Sequence, residues 1–199
     1  AGSITYDGGF ASFDIYAFGT LLCRASLSVI GSFNVSNALA AAASAHLSGV
    51  SAKAIARGLS EFRGVARRFE YLGELNGARV FTDYAHHPDE LKATLAAAKA
   101  AAGGRLVTLF QPHTFSRLHD LFDDFAASFG DSSLPLFTDV FSAREVNTSG
   151  VHAGLLADAA GGVYLPTLEE SARYLEANVR PGDTVLLIGA GNVNTVWDI

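Results

Sequence analysis

Over residues 1–30 apolar and polar positions alternate. "SITYD" and "SFDIYAF" lie on either side of Gly8-Gly9, and "LLCRASLSVI" follows Gly19. A period of two is that of half-buried strands, so this stretch is expected to be extended. The pattern then changes. "NVSNALAAAASAHLSG" predicts an alanine-rich helix that stops at Gly49, and "SAKAIARGL" a second, shorter one. In the latter, Ser51 is the expected N-cap, with Ile55 and Leu59 on one face. In "SEFRGVARR" periodicity lapses and positive charge gathers, which reads as a linker.

Beyond it the pattern is that of alternating strands and helices. "FEYLGEL-NG-ARVFTDY" predicts a hairpin, because Asn76-Gly77 suits the tight two-residue turn that joins antiparallel strands. Pro88 stands where a first helical residue is expected, and "PDELKATLAAAKAAAGG" runs from it to a glycine stop. Strands are expected at "RLVTLF", "LPLFTDV", "VYLP" and "DTVLLIGAG". Helices are expected at "FSRLHDLFDDFAASFG", "GVHAGLLADAAGG" and "LEESARYLEANV", with a short one behind the last strand. Apolar strands alternating with helices imply an α/β fold, a Rossmann-like and mostly parallel sheet with helices on both faces.

The connections differ by direction. Those entering strands are plain turns: "AAGGR", "DSSLP", "AGG", "RPGD". Those leaving strands are chemically rich: "TDYAHHPDE", "QPHTFSR", "TDVFSAREVN", "GAGNVN". Open α/β sheets bind ligands at the carboxyl ends of their strands, so these loops are expected to wall one pocket.

Composition narrows the chemistry. The chain has 199 residues, 49% hydrophobic and 17% charged, with a formal net charge of -6. That balance fits a globular protein and argues against a nucleic-acid groove or a polybasic membrane patch. One cysteine, Cys23, excludes an internal disulfide framework and fits a cytoplasmic location. No apolar run approaches the roughly 18 residues that span a bilayer. There is no Met, so the first residue is read as processed or as an excision point.

Several motifs carry alternatives. His86, His87, Asp89 and Glu90 suggest a metal site, but adjacent histidines diverge and carboxylates suit a helix's first turn without metal, so no metal ligand is assigned. At "QPHTFSR" a helix start with Arg117 one turn in suits a carboxylate or phosphate; the alternative is Arg117 pairing with Asp120 or Asp124 on the helix surface. Asn34 could be only a cap, whereas Asn37 inside the first turn is less easily explained so, and side-chain amides can read an adenine edge. "GAGNVN" lacks room for a dinucleotide unit, with eight residues after Gly191, and reads as a backbone turn at the pocket rim.

Together, "GSFNVSNALAA", "FRGVARRFEYLG", "TDYAHHPDELKATL", "LFQPHTFSRLHDLFDDFA", "FSAREVNTSG" and "LLIGAGNV" resemble the Mur ligases of peptidoglycan synthesis, over nearly the whole chain. "DYAHHP" followed by "FQPHTFSR" resembles the branch that adds L-alanine. The resemblance implies that residues 1–63 are a C-terminal remnant of a central ATP-binding domain and residues 64–199 a C-terminal Rossmann-like domain for the amino acid. It implies a cytoplasmic, ATP- and Mg²⁺-dependent ligase joining L-alanine to UDP-N-acetylmuramate through an acyl phosphate. By the same resemblance Asn34 and Asn37 hold adenine, Arg68 contacts the ATP phosphates and Asp83 the ribose or its surroundings. Tyr84 and His86 line the alanine pocket and Arg117 clamps the alanine carboxylate. Phe33 stands where many such relatives have His, and Thr114 where others have a second Arg, which makes Arg117 the main clamp. No Gly-x-x-Gly-Lys-[Ser/Thr] phosphate loop occurs in the chain, so it is expected to be an inactive fragment with no catalytic residue of its own. The rival expectations are a stand-alone binding module for a small carboxylate or nucleotide, and a metal hydrolase using His86, His87 and His113.

Overall fold

The computed structural model describes all residues from 1 to 199. The chain divides into two compact units, Ala1–Val65 and Ala66–Ile199.

In the first unit, strands β1 (Gly2–Asp7), β2 (Phe10–Ala17) and β3 (Thr20–Ile30) form an antiparallel sheet in that order. Alternation along β2 turns Ala11, Phe13 and Ile15 inward, onto Ala25 and Leu27 of β3. Helices α1 (Phe33–Leu47) and α2 (Ala52–Glu61) cover them with Val35, Ala38, Ala42 and Ile55. Ser51 caps α2, its hydroxyl accepting from the Ala54 N–H at 3.3 Å. α2 continues into the stretch that the sequence gives to the linker. The Arg57–Glu61 pair at 3.8 Å and the Phe62 N–H bond to the Gly58 carbonyl support that extra turn.

The second unit holds a six-stranded sheet. Its strands are β4 (Glu70–Leu75), β5 (Ala78–Asp83), β6 (Leu106–Phe110), β7 (Leu134–Phe137), β8 (Val163–Tyr164) and β9 (Thr184–Ile188), in the order β4-β5-β9-β6-β7-β8. All neighbours are parallel except β4 and β5, so the sheet is mixed, with one antiparallel edge strand. Asn76 (φ 51°) and Gly77 (φ 79°) make the β4–β5 turn, and two positive φ values match its twist to that of the strands.

The sheet is covered on both faces, which is why every residue of β6 and β9 is buried and apolar residues run on without alternation. Leu106, Phe110, Leu186 and Ile188 meet α3 (Pro88–Ala101), α4 (Phe115–Asp120), α5 (Phe122–Ala126) and α6 (Ala153–Ala160) through Leu91, Leu95, Leu118, Phe125 and Leu156. On the other face Val107, Leu109, Val185 and Leu187 meet α7 (Leu168–Asn178) and the terminal 3-10 helix Val193–Asp198. The chain thus leaves β5, β6 and β7 on one side and β9 on the other, which makes the carboxyl ends around β9 a topological switch point. The single helix expected over residues 115–130 is broken. Leu121 (φ -119°, ψ 25°) departs from helical geometry, so Leu118 and Phe125 are both fully buried while Leu121 and Phe122 stay half-exposed.

At the opposite end of the sheet Arg105 donates to both carboxylate oxygens of Asp183, at 3.0 and 2.6 Å, and to the Asn178 carbonyl at 3.1 Å. Asp183 is buried, and the Arg105 bonds hold its carboxyl below the ordinary value. A depressed folded value stabilises above the unfolded one, near ~3.9, and that stability is lost as pH falls through the folded value. Arg105→Ala should therefore lower unfolding stability at neutral pH by about 1.5–3 kcal/mol. The deficit should shrink as Asp183 protonates. Urea midpoints at neutral and acid pH measure it, and equal midpoints for variant and parent at neutral pH would count against the pair.

Candidate functional site

Three loops leave β5, β9 and β6 side by side. Gln111 binds two of them together. Its buried side chain accepts from the Asn192 and Val193 N–H groups at 2.8 and 3.1 Å and donates to Asn192 Oδ1 at 2.9 Å. The β6 loop is in turn laced to the β7 loop. Phe141 donates its N–H to the Pro112 carbonyl at 2.9 Å and accepts the Thr114 N–H at 3.0 Å, and its ring stacks on His113 at 5.6 Å. Thr114 is held at φ 69°, a backbone state that costs a β-branched residue about 1–3 kcal/mol and persists only where neighbours fix it.

Asp83 lies beneath this edge, 3% exposed. Its two oxygens accept the Phe69 and Ala85 N–H groups, each at 2.8 Å, and the Thr94 hydroxyl lies at 3.4 Å. Burial pushes its carboxyl up, against the pull of those N–H groups and of the Arg68 charge. Asp83 thus anchors the Tyr84–His87 turn from inside, with both oxygens engaged by its own chain. Above it Tyr84 faces two guanidinium groups, Arg67 at 4.8 Å and Arg68 at 5.7 Å from its ring centre. Arg67 also donates to the Gly189 carbonyl, which joins this turn to the β9 loop.

His86 sits edge-on to Tyr84 at 5.5 Å and to His113 at 6.1 Å. Its Nδ1 lies 3.0 Å from the Tyr84 carbonyl oxygen and 3.4 Å from Glu90 Oε2, which also accepts the His86 N–H at 2.9 Å. Burial alone raises the Glu90 carboxyl, but the His86 N–H, the His86 ring and Arg68 together hold it below its ordinary value. His87 turns outward to the start of α3 and is exposed, so the two histidines do diverge.

Arg117 pairs with neither Asp120 nor Asp124. Its Nη1 rests on His113, 3.4 Å from Nδ1 and 3.3 Å from the carbonyl oxygen. Burial, then the Arg117 charge and His86, push His113 down, against the pull of Glu145. The helix start itself is not open, which corrects the expectation that its N–H groups await a ligand. Glu145 accepts the Ser116 N–H at 2.9 Å and the Ser116 hydroxyl at 2.6 Å, and these bonds lower its carboxyl. The Arg117 guanidinium remains as the open cation. The structure therefore brings Tyr84, His86, His113 and Arg117 into one row, with Arg68 beside it.

Asn34 and Asn37 belong to the first unit. Asn34 is inside α1 rather than its cap, donating to the Ile30 carbonyl at 2.8 Å and accepting from Asn37 at 3.0 Å. The paired amides border an apolar hollow of about 430 Å³ lined by Leu27, Val29, Ala38 and Ile55 among others. Carboxylates that could meet Mg²⁺ in the second unit do not suit it. Asp83, Glu90 and Glu145 are each taken up by N–H, hydroxyl or imidazole groups of this chain, and none is assigned to the ion.

The second unit is thus an α/β domain with an imidazole- and guanidinium-lined edge at the switch point of its mixed sheet. The Mur ligase, glutamate ligase domain family matches residues 67–191. The chain is 39% identical over 198 residues to the UDP-N-acetylmuramate–L-alanine ligase of Acetivibrio thermocellus, covering 97% of this chain and 42% of that protein. It is 45% identical over 176 residues to that of Desulforamulus reducens, with 85% and 38% covered. Among solved structures, the UDP-N-acetylmuramate–alanine ligase MurC of Thermotoga maritima superposes with a TM-score of 0.79 at 25% identity, over 96% of this chain and 42% of that one. The murein peptide ligase of Psychrobacter arcticus gives 0.64 at 26%, over 96% and 41%. This chain belongs to the Mur ligase family. It spans about two fifths of the length of the curated relatives it matches.

Proposed function

We propose that the chain is the amino-acid-receiving part of a cytoplasmic, ATP-dependent ligase that joins L-alanine to UDP-N-acetylmuramate for peptidoglycan. The observation that carries this is the row Tyr84–His86–His113–Arg117. An uncompensated guanidinium at one end suits a carboxylate, and the aromatic and imidazole side chains beside it border the space left for the rest of the amino acid. In the reaction the sugar carboxylate becomes an acyl phosphate at the expense of ATP, with Mg²⁺ supplied with the nucleotide, and the alanine amine displaces phosphate. Residues 1–63 are proposed as a C-terminal remnant of the ATP-binding domain. There Asn34 and Asn37 offer adenine a paired amide edge beside an apolar wall, and Arg68, exposed next to Tyr84, is the proposed phosphate contact. Asp83 is proposed to serve the nucleotide side only through the turn it anchors.

The test is amide formation by the whole protein that carries this chain, with ATP, Mg²⁺ and UDP-N-acetylmuramate, offering L-alanine, glycine, D-glutamate and no amino acid in turn. The expected result is alanine-dependent phosphate release at an ordinary enzyme rate, on the order of 1–10³ s⁻¹. The chain alone is expected to release none. Binding of alanine or nucleotide with no turnover in the whole protein would favour the binding-module reading instead.

A further inference from the structure

An amino acid reaches such a site at neutral pH as an ammonium ion, with no lone pair for attack, so a base must remove a proton where the amine lies. Three histidines stand at this edge, and their hydrogen bonds separate them. A guanidinium only donates, so His113 must meet Arg117 with the lone pair of Nδ1. Its neutral ring then carries its proton on Nε2, and no lone pair is left. His87 has turned outward, with Nδ1 accepting the Asp89 N–H at 3.5 Å. His86 is the reverse case. Both neighbours of its Nδ1, the Tyr84 carbonyl and the Glu90 carboxylate, only accept. The neutral ring therefore carries its proton on Nδ1, and Nε2 keeps a lone pair with no partner within the protein.

We propose that His86 is the general base of the ligation, accepting the amine's proton on Nε2, while Glu90 is a positioning residue that fixes its tautomer and steadies the imidazolium. The inference rests on the ligase reading above. Arg117 adjoins His113, whose ring lies 6.1 Å from that of His86, so an amino acid held by its carboxylate on Arg117 extends its amine along the edge that His86 lines. The ammonium gives one proton to Nε2. The neutral amine attacks the acyl phosphate carbon, the C–N bond forms, and the C–O bond to phosphorus breaks with its electron pair leaving on phosphate. The nitrogen's second surplus proton leaves with that phosphate, and His86 returns its own to solvent. The charged and titratable groups around the ring are Glu90 from α3, Tyr84 from its own turn, His113 and Arg117 from the β6 loop, and Arg68 near Glu90.

Hydroxylamine separates this role from a structural one, because it is uncharged at neutral pH and attacks an acyl phosphate without a base. In the whole protein, His86→Gln should lower the rate of alanine ligation at saturating alanine by about 10²–10⁴-fold. ATP-dependent hydroxamate formation should fall far less than alanine ligation does, so the ratio of the two rates is the readout. The alanine deficit should narrow as pH rises, since more of the amine then arrives unprotonated. Glu90→Gln should show a smaller loss of the same selective kind. In the chain itself, ¹⁵N-resolved imidazole spectra should show His86 protonated on Nδ1. Parent-like alanine ligation by His86→Gln, equal losses for alanine and hydroxylamine, or a His86 ring protonated on Nε2 would each overturn the assignment. A parent protein that forms neither product would instead remove the ligase reading, and the spectra would still decide the tautomer.

Discussion

Replacing Arg117 with alanine is expected, on the proposed ligase function, to raise the KM for L-alanine in the whole protein at least roughly tenfold, the equivalent of a charge-assisted hydrogen bond of about 1.5–3 kcal/mol. The structure sharpens this expectation in two ways. Arg117 has no carboxylate partner of its own, although Asp120 and Asp124 are close in sequence, so its charge is available to a ligand. The Ser116 N–H and hydroxyl in the first turn of α4, which could have shared the ligand's charge, already hold Glu145, and Thr114 offers no second cation. One guanidinium is therefore left for the proposed carboxylate. Arg117→Lys should recover little, because an ammonium cannot make the two parallel bonds of the guanidinium fork. KM values for ATP and UDP-N-acetylmuramate should barely move. Steady-state kinetics with each substrate varied in turn decide the matter, and equal losses for all three, or an unchanged alanine KM, would leave Arg117 with no role beyond supporting His113.

What the sequence made legible was local. The Asn76-Gly77 turn, the Pro88 helix start, the Ser51 cap and the apolar runs of β6 and β9 are each set by residues within a few positions of one another. The richness of the loops leaving strands likewise pointed to the carboxyl edge of the sheet, where Tyr84, His86 and Arg117 now stand together. The parts that were not legible depend on distant partners. Gln111 looks like an ordinary polar residue after a strand until its bonds to Asn192 and Val193, 81 and 82 positions away, are seen. Glu145 lies 29 positions from the Ser116 groups it occupies, and nothing in "FSAREVN" signals that it closes a helix end. Asp83 shows the converse. The family resemblance implies a contact on the ribose side for this carboxylate, while burial among the N–H groups of Phe69 and Ala85 turns it inward. The break at Leu121 was hidden by an apolar stripe that a straight helix would also satisfy.

Gly191→Ala should be a strongly damaging small substitution at this edge. A Cβ on Gly191 would come within 2.6 Å of Phe141 Cγ and 2.7 Å of its Cβ, and closer still to Gln111 Oε1. Neither neighbour can give way cheaply. Moving Gln111 strands the Asn192 and Val193 N–H groups, and moving Phe141 removes the ring on which His113 stacks. Overpacking of this kind costs about 1–3 kcal/mol, and each buried group left without its bond adds about 1–3 kcal/mol. A loss of about 3 kcal/mol or more is therefore expected, read as a lower urea midpoint with an unchanged slope. Alanine ligation in the whole protein should fall with it, because His113 and Arg117 share the displaced loop. Gln111→Ala relieves the tightest of these contacts, so Gly191→Ala should cost distinctly less in that background than alone, a non-additivity of about 0.5–3 kcal/mol. Additive losses, or a single-variant midpoint within about 0.5 kcal/mol of the parent, would mean that the loop has room the geometry denies it, and that Gln111 does not hold the two strand ends together.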